Sequence, residues 1–236
     1  MSNDHNTLIE VYKGSYFSKK KKSRAKKVVV FDFDETLGSF VDLEILWSII
    51  KQYNHNDTVL FNDILDIYPE FIRYGMLSIL EYLYTKKVSG ECYKVFIYTN
   101  NQADKSWVHL IIDYFNTKIS KDNPLFDQII HSFKINNIQT EIGRTTHKKT
   151  HSDFIRCTLL PQSTTICFID DVLYKDMKNE RIYYIKPKPY IHYLSTHDII
   201  TRFIYSTSGN LLLSTNNSKN IFKTTFIKKS MMSGSY

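Results

Sequence analysis

The stretch that decides the fold is KKVVVFDFDETLGSF, residues 26–40. Its three valines and first phenylalanine are residue types enriched in strands, and they predict a buried β-strand over residues 28–33. Two carboxylates, Asp32 and Asp34, stand one residue apart at the end of that strand, and Glu35 follows them directly. Carboxylates this close repel each other unless a cation or a shared proton intervenes. The stretch therefore predicts a core strand that delivers negative charge to a candidate site.

The composition sets the broad class of the protein. The chain has 236 residues, of which 42% are hydrophobic, enough for one large domain or two small ones. The three cysteines are an odd number and contain no Cys-x-x-Cys pair, which argues against a disulfide framework and against a zinc site. No apolar run reaches the roughly 18 residues of a membrane helix, and the N-terminus has no signal-peptide pattern. The sequence predicts a soluble intracellular protein, cytoplasmic or nuclear, with no membrane partner.

The net charge of +7 comes from one segment, KKKKSRAKK at residues 19–27, which holds seven positive charges. Without it, 24 basic residues balance 24 acidic ones, so the folded part is expected to be neutral. Proteins that bind a nucleic-acid backbone usually carry their positive charge on the surface of the folded domain. We therefore expect residues 1–27 to be a disordered basic leader, through which contact with nucleic acid stays possible.

Strand and helix patterns alternate along the rest of the chain. Strands are predicted over residues 28–33, 93–99, 126–131, 164–170 and 181–186, and helices over 41–53, 71–87, 103–115, 149–160 and 197–205. This alternation predicts an α/β fold with a Rossmann-like parallel sheet and helices on both faces. The expected domain covers residues 28–205, and the Ser/Asn/Thr/Lys-rich residues 206–236 are expected to form a polar C-terminal tail.

Polar side chains also follow two later strands. Thr99, Asn100 and Asn101 end the second predicted strand, and the pair Asp170 and Asp171 ends the fourth. Ligands of parallel α/β sheets collect at the carboxyl ends of the strands, so these groups should converge with the first two carboxylates. Four carboxylates in one place favour a hard cation with oxygen ligands, most simply Mg²⁺.

The order of these motifs resembles the haloacid dehalogenase superfamily of phosphatases. The first two elements are Asp-x-Asp-x-Thr after an apolar strand and threonine after the second predicted strand. The other two are a lysine that opens a helix and the Asp-Asp pair after the fourth predicted strand. DFDETL and FIRYGMLSILEYL narrow the resemblance to the phosphatases of the RNA polymerase II C-terminal domain and the NLI-interacting-factor-like family, although Tyr74 stands where that family has proline. The resemblance covers about residues 28–185 and implies a haloacid-dehalogenase-like fold. Few residues separate Thr36 from the helix at 71, so only a minimal cap is expected.

The resemblance implies a catalytic set and a metal set. Asp32 would be the nucleophile that forms an aspartyl phosphate, and Asp34 would be the general acid and base. Thr99 would hold the phosphoryl oxygens, and a lysine would neutralise their charge. The implied ligands of Mg²⁺ are Asp32, Asp34 (through its backbone carbonyl), Asp170 and Asp171.

Two lysines compete for the role of the motif lysine. Lys149 is favoured over Lys148 because it puts Phe154 where the family helix carries an apolar residue, but the choice stays open. Glu35 is expected to face away from the site with a local structural role. The residues expected to bind substrate are Thr36, Thr99, Asn100 and Lys148.

These features predict a Mg²⁺-dependent phosphoric monoester hydrolase. A site with a minimal cap is open to large substrates, and the expected substrate is phosphoserine or phosphothreonine in a protein or peptide. Two alternatives stay open: a phosphatase of polynucleotide 3′ ends, and a phosphoprotein-binding module that has lost turnover. The neutral folded part disfavours the first alternative, and the complete set of motif residues disfavours the second.

Overall fold

The structure, a computed structural model, describes residues 8–18, 25–119 and 122–233. Its strands within these ranges are β1 (Ile9–Lys13), β2 (Lys27–Phe31), β3 (Lys94–Tyr98), β4 (Gln128–Ile130), β5 (Lys134–Ile135), β6 (Ile138–Gln139), β7 (Thr165–Ile169) and β8 (Ile182–Pro187). Its helices are α1 (Val41–Ile50), α2 (Phe61–Ile67), α3 (Met76–Val88), α4 (Lys105–Ile119), α5 (His151–Thr158), α6 (Thr196–Tyr205), α7 (Thr207–Leu212) and α8 (Asn216–Ser233). Short 3₁₀ turns cover Ser15–Ser18, Pro69–Phe71 and Lys175–Met177.

Six of the strands form one sheet in the order β1-β8-β7-β2-β3-β4, and β5 and β6 form a separate hairpin. All neighbours in the large sheet are parallel except β1, which pairs antiparallel with β8. The prediction of an α/β fold with a mostly parallel central sheet flanked by helices is confirmed. In the register of the sheet, Phe31 at the end of β2 lies opposite Ile97 and Ile169. The ends of β2, β3 and β7 therefore lie side by side at one edge.

A buried aromatic core, formed by side chains of the sheet and of α5, supports these strand ends. Phe96 of β3 packs edge-to-face against Phe154 of α5, with ring centroids 5.4 Å apart. Phe168 of β7 packs in the same manner against Tyr184 of β8 at 4.9 Å. All four rings are at least 99% buried, and aromatic pairs of this geometry add to the free energy gained by burial alone. The core thus fixes the strands whose ends carry the candidate residues.

The described residues divide into two compact units. One unit comprises the residues up to Leu37 and those from Gly75 to Tyr190, and it contains the whole six-stranded sheet. The other comprises Gly38–Tyr74 and the residues from Ile191 onward, and it is built from α1, α2, α6, α7 and α8. This division differs from the predicted single domain over 28–205, since the segment expected to be a minimal cap belongs to a second unit of substantial size.

The expected polar C-terminal tail is wrong for residues 207–233, which form α7 and α8. Phe222 and Phe226 of α8 are fully buried, and the Phe222 ring stacks on Phe203 of α6 at 4.8 Å. Four-residue spacing puts both phenylalanines on one helix face. The surrounding Lys, Asn and Thr residues make this apolar face of α8 hard to recognise in the sequence. The face of α6 that packs against it lies elsewhere in the chain.

Contacts inside the second unit join its two chain segments. Tyr68 donates from its hydroxyl to the carbonyl of Ile199 at 2.6 Å. Arg202 binds both carboxylate oxygens of Glu70, at 2.9 and 2.8 Å. Both bonds come from Nη1, and together with the Tyr68 hydrogen bond they join segments that are distant in sequence.

The predicted disordered leader is wrong for residues 9–18. Ile9–Lys13 is an edge strand, and Lys186 of β8 contacts Glu10 of β1 at 2.9 Å. The alternation of Ile9 and Val11 with polar residues fits one strand of a sheet. Residues 1–7 and 19–24, which include five of the seven charges of the basic run, lie outside the described residues.

The predicted helix over 71–87 begins five residues late, at Met76. Gly75 precedes it with φ +76°, a left-handed conformation that glycine adopts without steric cost, and a 3₁₀ turn ends at Phe71, where the helix was predicted to begin. Among the helices of the described ranges, none has the length and apolar character required to cross a membrane.

Candidate active site

The candidate residues continue the hydrogen-bond ladder of their strands. The amide of Asp32 donates to Ile169 of β7 at 2.8 Å, and the amide of Asp170 donates to Ile185 of β8 at 3.1 Å. Thr99 donates from its amide to Ile130 of β4 at 3.0 Å. Each polar residue is therefore held by a backbone bond of the sheet, which fixes it at the carboxyl edge.

Three carboxylates form a buried cluster at this edge. Asp32, Asp170 and Asp171 each offer one oxygen, and these oxygens lie within 4.8 Å of one another. Their exposed fractions are 8%, 0% and 6%. Burial raises the pKa of Asp170, although Lys149 opposes this effect, and burial together with the charge of Asp32 raises the pKa of Asp171. An all-oxygen donor set that disfavours its own ionisation fits a hard divalent cation such as Mg²⁺.

Lys149 supplies the positive charge of this cluster. Its Nζ donates to Asp170 Oδ2 at 2.7 Å and also to Asp32 Oδ1, and its side chain is fully buried. Burial lowers the pKa of Lys149, but the charges of Asp32 and Asp170 more than offset this and raise the pKa above its ordinary value. Lys148, the other candidate for the motif lysine, is exposed. Of the two lysines, only Lys149 contacts the carboxylates.

The start of α5 fixes the backbone of Lys149. Thr150 caps the helix, because its hydroxyl accepts from the amide of Asp153 at 3.0 Å. The amide of Thr150 donates to the Tyr98 hydroxyl at 3.3 Å, and the buried Asp153 carboxylate accepts from the amide of Thr145 at 3.0 Å. These bonds tie the lysine segment to β3 and to its own helix.

Thr36 connects the end of β2 to the end of β7. Its hydroxyl donates to Asp171 Oδ1 at 2.9 Å, accepts from the Asp171 amide at 3.1 Å and lies 3.4 Å from Asp32 Oδ2. The threonine is 1% exposed. The hydroxyl of this predicted substrate-binding residue therefore orients two carboxylates of the cluster.

The loop after β3 carries the predicted phosphate ligand Thr99. Its hydroxyl accepts from the amide of Asn101 at 2.9 Å, an arrangement that leaves the hydroxyl proton for another acceptor. Asn100, also predicted to bind substrate, uses both ends of its amide within the protein. Its Oδ1 accepts from Arg144 at 2.7 Å, and its Nδ2 donates to the Tyr174 hydroxyl at 2.9 Å.

Asp34 occupies a different environment from the three clustered carboxylates. Asn101 donates from Nδ2 to Asp34 Oδ2 at 2.8 Å. Burial raises the pKa of Asp34 to about 7, helped by the nearby charge of Asp32 and opposed by the Asn101 hydrogen bond. Asp34 can therefore hold or release a proton near neutral pH, as a general acid and base requires. The cluster found among the described residues does not include its carboxylate.

Glu35 follows Asp34 in the turn after β2. Burial and the negative charges of Asp171 and Asp32 raise the pKa of Glu35. Its φ of +52° is uncommon outside glycine, and its carbonyl accepts from the amide of Tyr190 at 2.9 Å. The turn after Asp34 is thus locally strained and held by a residue that follows β8.

Sequence reasoning assigned no role to Arg144, Asn101 or Tyr174. Asn101 had a visible signal, because it follows Thr99 in the same polar strand end. Tyr174 lies four residues beyond Asp170, and its ring is 5.3 Å from Lys149 Nζ. Arg144 stands in a loop without periodicity, and only its contacts reveal it.

No protein-family model matches the chain, and neither the search of curated proteins nor that of solved structures finds a similar protein.

Proposed function

We propose that the protein is a Mg²⁺-dependent phosphatase that hydrolyses phosphomonoesters through an aspartyl phosphate on Asp32. The observation that supports this most is the buried group of Asp32, Lys149, Asp170 and Asp171 at the carboxyl edge of the sheet. It combines a nucleophilic carboxylate, a fixed ammonium and an oxygen donor set for a hard cation. These are the parts that phosphoryl transfer to a carboxylate requires.

The proposed metal ligands are Asp32, Asp170 and Asp171, with the backbone carbonyl of Asp34 as a further candidate. When bound, Mg²⁺ would supply positive charge that attracts the phosphate group and offsets negative charge on its oxygens. Lys149 donates to Asp32 and Asp170, and in the proposed mechanism it also donates to a phosphoryl oxygen. The unused proton of the Thr99 hydroxyl provides a second donor.

The first step forms a bond between an Asp32 oxygen and phosphorus and breaks the bond from phosphorus to the ester oxygen. Asp34 gives its proton to that leaving oxygen, which a pKa of about 7 allows. In the second step the ionised Asp34 takes a proton from water. The water oxygen attacks phosphorus, the bond to Asp32 breaks, and inorganic phosphate leaves with both residues restored.

The proposed substrate is phosphoserine or phosphothreonine in a protein or peptide. The balance of 24 basic and 24 acidic residues outside the basic run supports this choice over a polynucleotide end. A minimal cap does not support this choice, because residues 38–74 belong to a second compact unit.

The test is phosphate release from a small aryl phosphate with Mg²⁺ and with EDTA. We expect turnover with Mg²⁺ and none with EDTA, since the cluster needs a cation to bring a phosphate dianion close. Asp171→Ala should raise the Mg²⁺ concentration for half-maximal rate by about tenfold or more, since loss of even an outer-sphere partner of a metal site costs about 10- to 100-fold in affinity. Asp176→Ala is the matched control, because Asp176 is exposed in the 3₁₀ turn that follows. Full activity in EDTA would exclude the proposed mechanism.

The substrate class is tested by comparing a phosphoserine peptide with a 3′-phosphorylated oligonucleotide under the same conditions. Faster release from the peptide supports the proposal. A strong preference for the oligonucleotide would favour the polynucleotide phosphatase. Peptide binding with no release from any substrate would favour a module that binds phosphoproteins without turnover.

A further inference from the structure

Arg144 is a buried arginine whose guanidinium contacts three separate segments of the sheet-containing unit. Its exposed fraction is 1%. Nη1 donates to the carbonyl of Thr99 at 2.9 Å and to that of His131 at 2.9 Å. Nη2 donates to Asn100 Oδ1 at 2.7 Å and to the carbonyl of His147 at 2.9 Å. One side chain therefore holds the loop after β3, the end of β4 and the segment before Lys149.

All four of these acceptors are neutral oxygens. The guanidinium also lies 4.8 Å from the centroid of the Tyr98 ring, which adds a cation–π contact. A buried charge without a carboxylate partner gains less Coulomb energy than an ion pair, so stability alone is a weak reason for an arginine here. This position uses the planar guanidinium, whose N–H groups can donate to several carbonyls at fixed angles.

Asn100 extends the contact network to the loop after β7. Its Nδ2 donates to the Tyr174 hydroxyl at 2.9 Å, and the Tyr174 amide donates to the hydroxyl of Tyr184 at 3.2 Å. Tyr184 belongs to β8 and is fully buried in the core. The hydrogen bonds between Arg144, Asn100 and Tyr174 thus link three loops. These loops carry Thr99, Lys149 and the Asp170–Asp171 pair.

We infer that Arg144 is a positioning residue that sets the separation between the Thr99 hydroxyl and the Lys149 ammonium, the two donors offered to the phosphoryl group. This inference rests on the proposed phosphatase function. Thr99 is held through its own carbonyl, and Lys149 is held through the carbonyl of His147, two residues before it. Arg144 does not touch the carboxylate cluster, so it acts on the reaction through the segments that it holds.

The experiment compares Arg144→Lys with the control Arg181→Lys. Lysine keeps the positive charge but lacks the planar fork, so it cannot donate to all four acceptors at once. Arg181 stands directly before β8, at the opposite end of the strand from the carboxyl edge, and contacts the carbonyl of Ser163. Circular dichroism and thermal melting select variants that remain folded before any other measurement.

The first readout is amide hydrogen exchange, which does not depend on turnover. The reporters are the amides of Asn101 and Thr150, bonded to the Thr99 hydroxyl and to the Tyr98 hydroxyl. We expect exchange to rise at both amides in Arg144→Lys and at neither in Arg181→Lys. Unchanged protection at either amide in the folded Arg144→Lys protein would overturn the inference.

The second readout is steady-state kinetics on an aryl phosphate. Misplacement of a reacting group by about 1 Å can cost up to roughly 100-fold in rate, so we expect kcat to fall by about 10- to 100-fold. The Mg²⁺ requirement should stay as in the wild type, which separates positioning from metal binding. A wild-type kcat in Arg144→Lys would overturn the inference while leaving the proposed function intact. A wild-type protein without any turnover would instead overturn the proposed function, and exchange alone would then decide whether Arg144 holds the two loops.

Discussion

Two buried cationic side chains, Lys149 and Arg144, stand five residues apart in the chain and differ in the charge of the groups around them. Both residues are 1% exposed. Lys149 donates to two carboxylates, whereas Arg144 donates to carbonyl and amide oxygens that carry no net charge. The compact ammonium compensates negative charge, and the planar guanidinium holds backbone segments at fixed angles.

The difference separates chemistry from architecture in this site. Removing Lys149 would leave Asp32 and Asp170 as uncompensated buried charges, and such losses are strongly unfavourable. Removing Arg144 would leave buried carbonyls without a donor, which costs free energy through desolvation but does not change the charge of the cluster. Variants of the two groups should therefore affect different measurements.

The largest effects are expected from substitutions of the carboxylates near Lys149. Asp32→Asn keeps the size of the side chain but removes the attacking anion, so phosphate release should fall to background. Asp34→Asn removes the proton donor and should lower kcat by a factor on the order of 10² to 10⁴. Initial rates on an aryl phosphate measure both, with Asp176→Asn as the control. Substantial turnover by Asp32→Asn would show that Asp32 is not the nucleophile.

Lys149→Met sharpens the comparison because it should move two measurements in opposite directions. Loss of a fixed donor to the phosphoryl oxygens should lower kcat by about 10² to 10³. Loss of a positive charge beside three carboxylates should strengthen Mg²⁺ binding, measured by calorimetry without substrate.

Lys148→Met is the neighbouring comparison and decides which lysine serves the site. Its exposed side chain predicts a much smaller change of both quantities. Equal losses of kcat in the two variants would contradict the role proposed for Lys149.

The sequence was sufficient for the parts of the fold that depend on local pattern. The valine run before Asp32 predicted the central strand, and the polar residues after three strands predicted where Asp32, Thr99 and Asp170 would lie. Strand periodicity and the rule that carboxyl ends of parallel strands share an edge carry this information. Neither principle needs knowledge of distant contacts.

The features that were missed depend on contacts between distant parts of the chain. The buried face of α8 is defined by Phe222 against Phe203 and Tyr53, which no local pattern specifies. The strand Ile9–Lys13 is stabilised by β8, more than 160 residues later. Arg144 is recognisable only from the acceptors that converge on it. Packing of this kind overrides a weak local signal.

A smaller effect is expected on the pH dependence of the rate. The pKa of Asp34 is raised to about 7, so its protonated form, needed in the first step, declines above that pH and kcat/KM should fall there. The Asn101 hydrogen bond stabilises the ionised form and lowers this pKa. Asn101→Ala should therefore move the descending limb to higher pH, by about one unit given the strength of a hydrogen bond to a charged group.

The control for this shift is Gln102→Ala, a variant of the exposed neighbour that contacts the carbonyl of Asn100. Its pH profile should match the wild type. A limb that moves to lower pH in Asn101→Ala would show that the titrating group is not Asp34 or that its hydrogen bond has the opposite effect.

The smallest expected effect concerns cations that lie outside the described residues. Lys19–Lys22 belong to the basic run, and exchanging all four for glutamine leaves every group of the candidate site in place. Deletion of residues 1–25 is a poor test, because it would also remove β1 from the sheet. If the run docks acidic partners, KM for a long phosphorylated peptide should rise a few-fold in the variant, while kcat on an aryl phosphate stays unchanged.

The salt dependence of that change identifies its origin. Exposed charges are screened beyond about 10 Å at 0.1 M ionic strength, so the difference in KM between wild type and variant should shrink as salt is added. A difference that persists in high salt would mean that the lysines act through contacts other than charge. A much larger and salt-sensitive loss on a 3′-phosphorylated oligonucleotide than on the peptide would make the run a nucleic-acid contact, because neutralising phosphate contacts removes counterion release. That result would reverse the proposed ranking of substrates while leaving the roles of Lys149 and Arg144 unchanged.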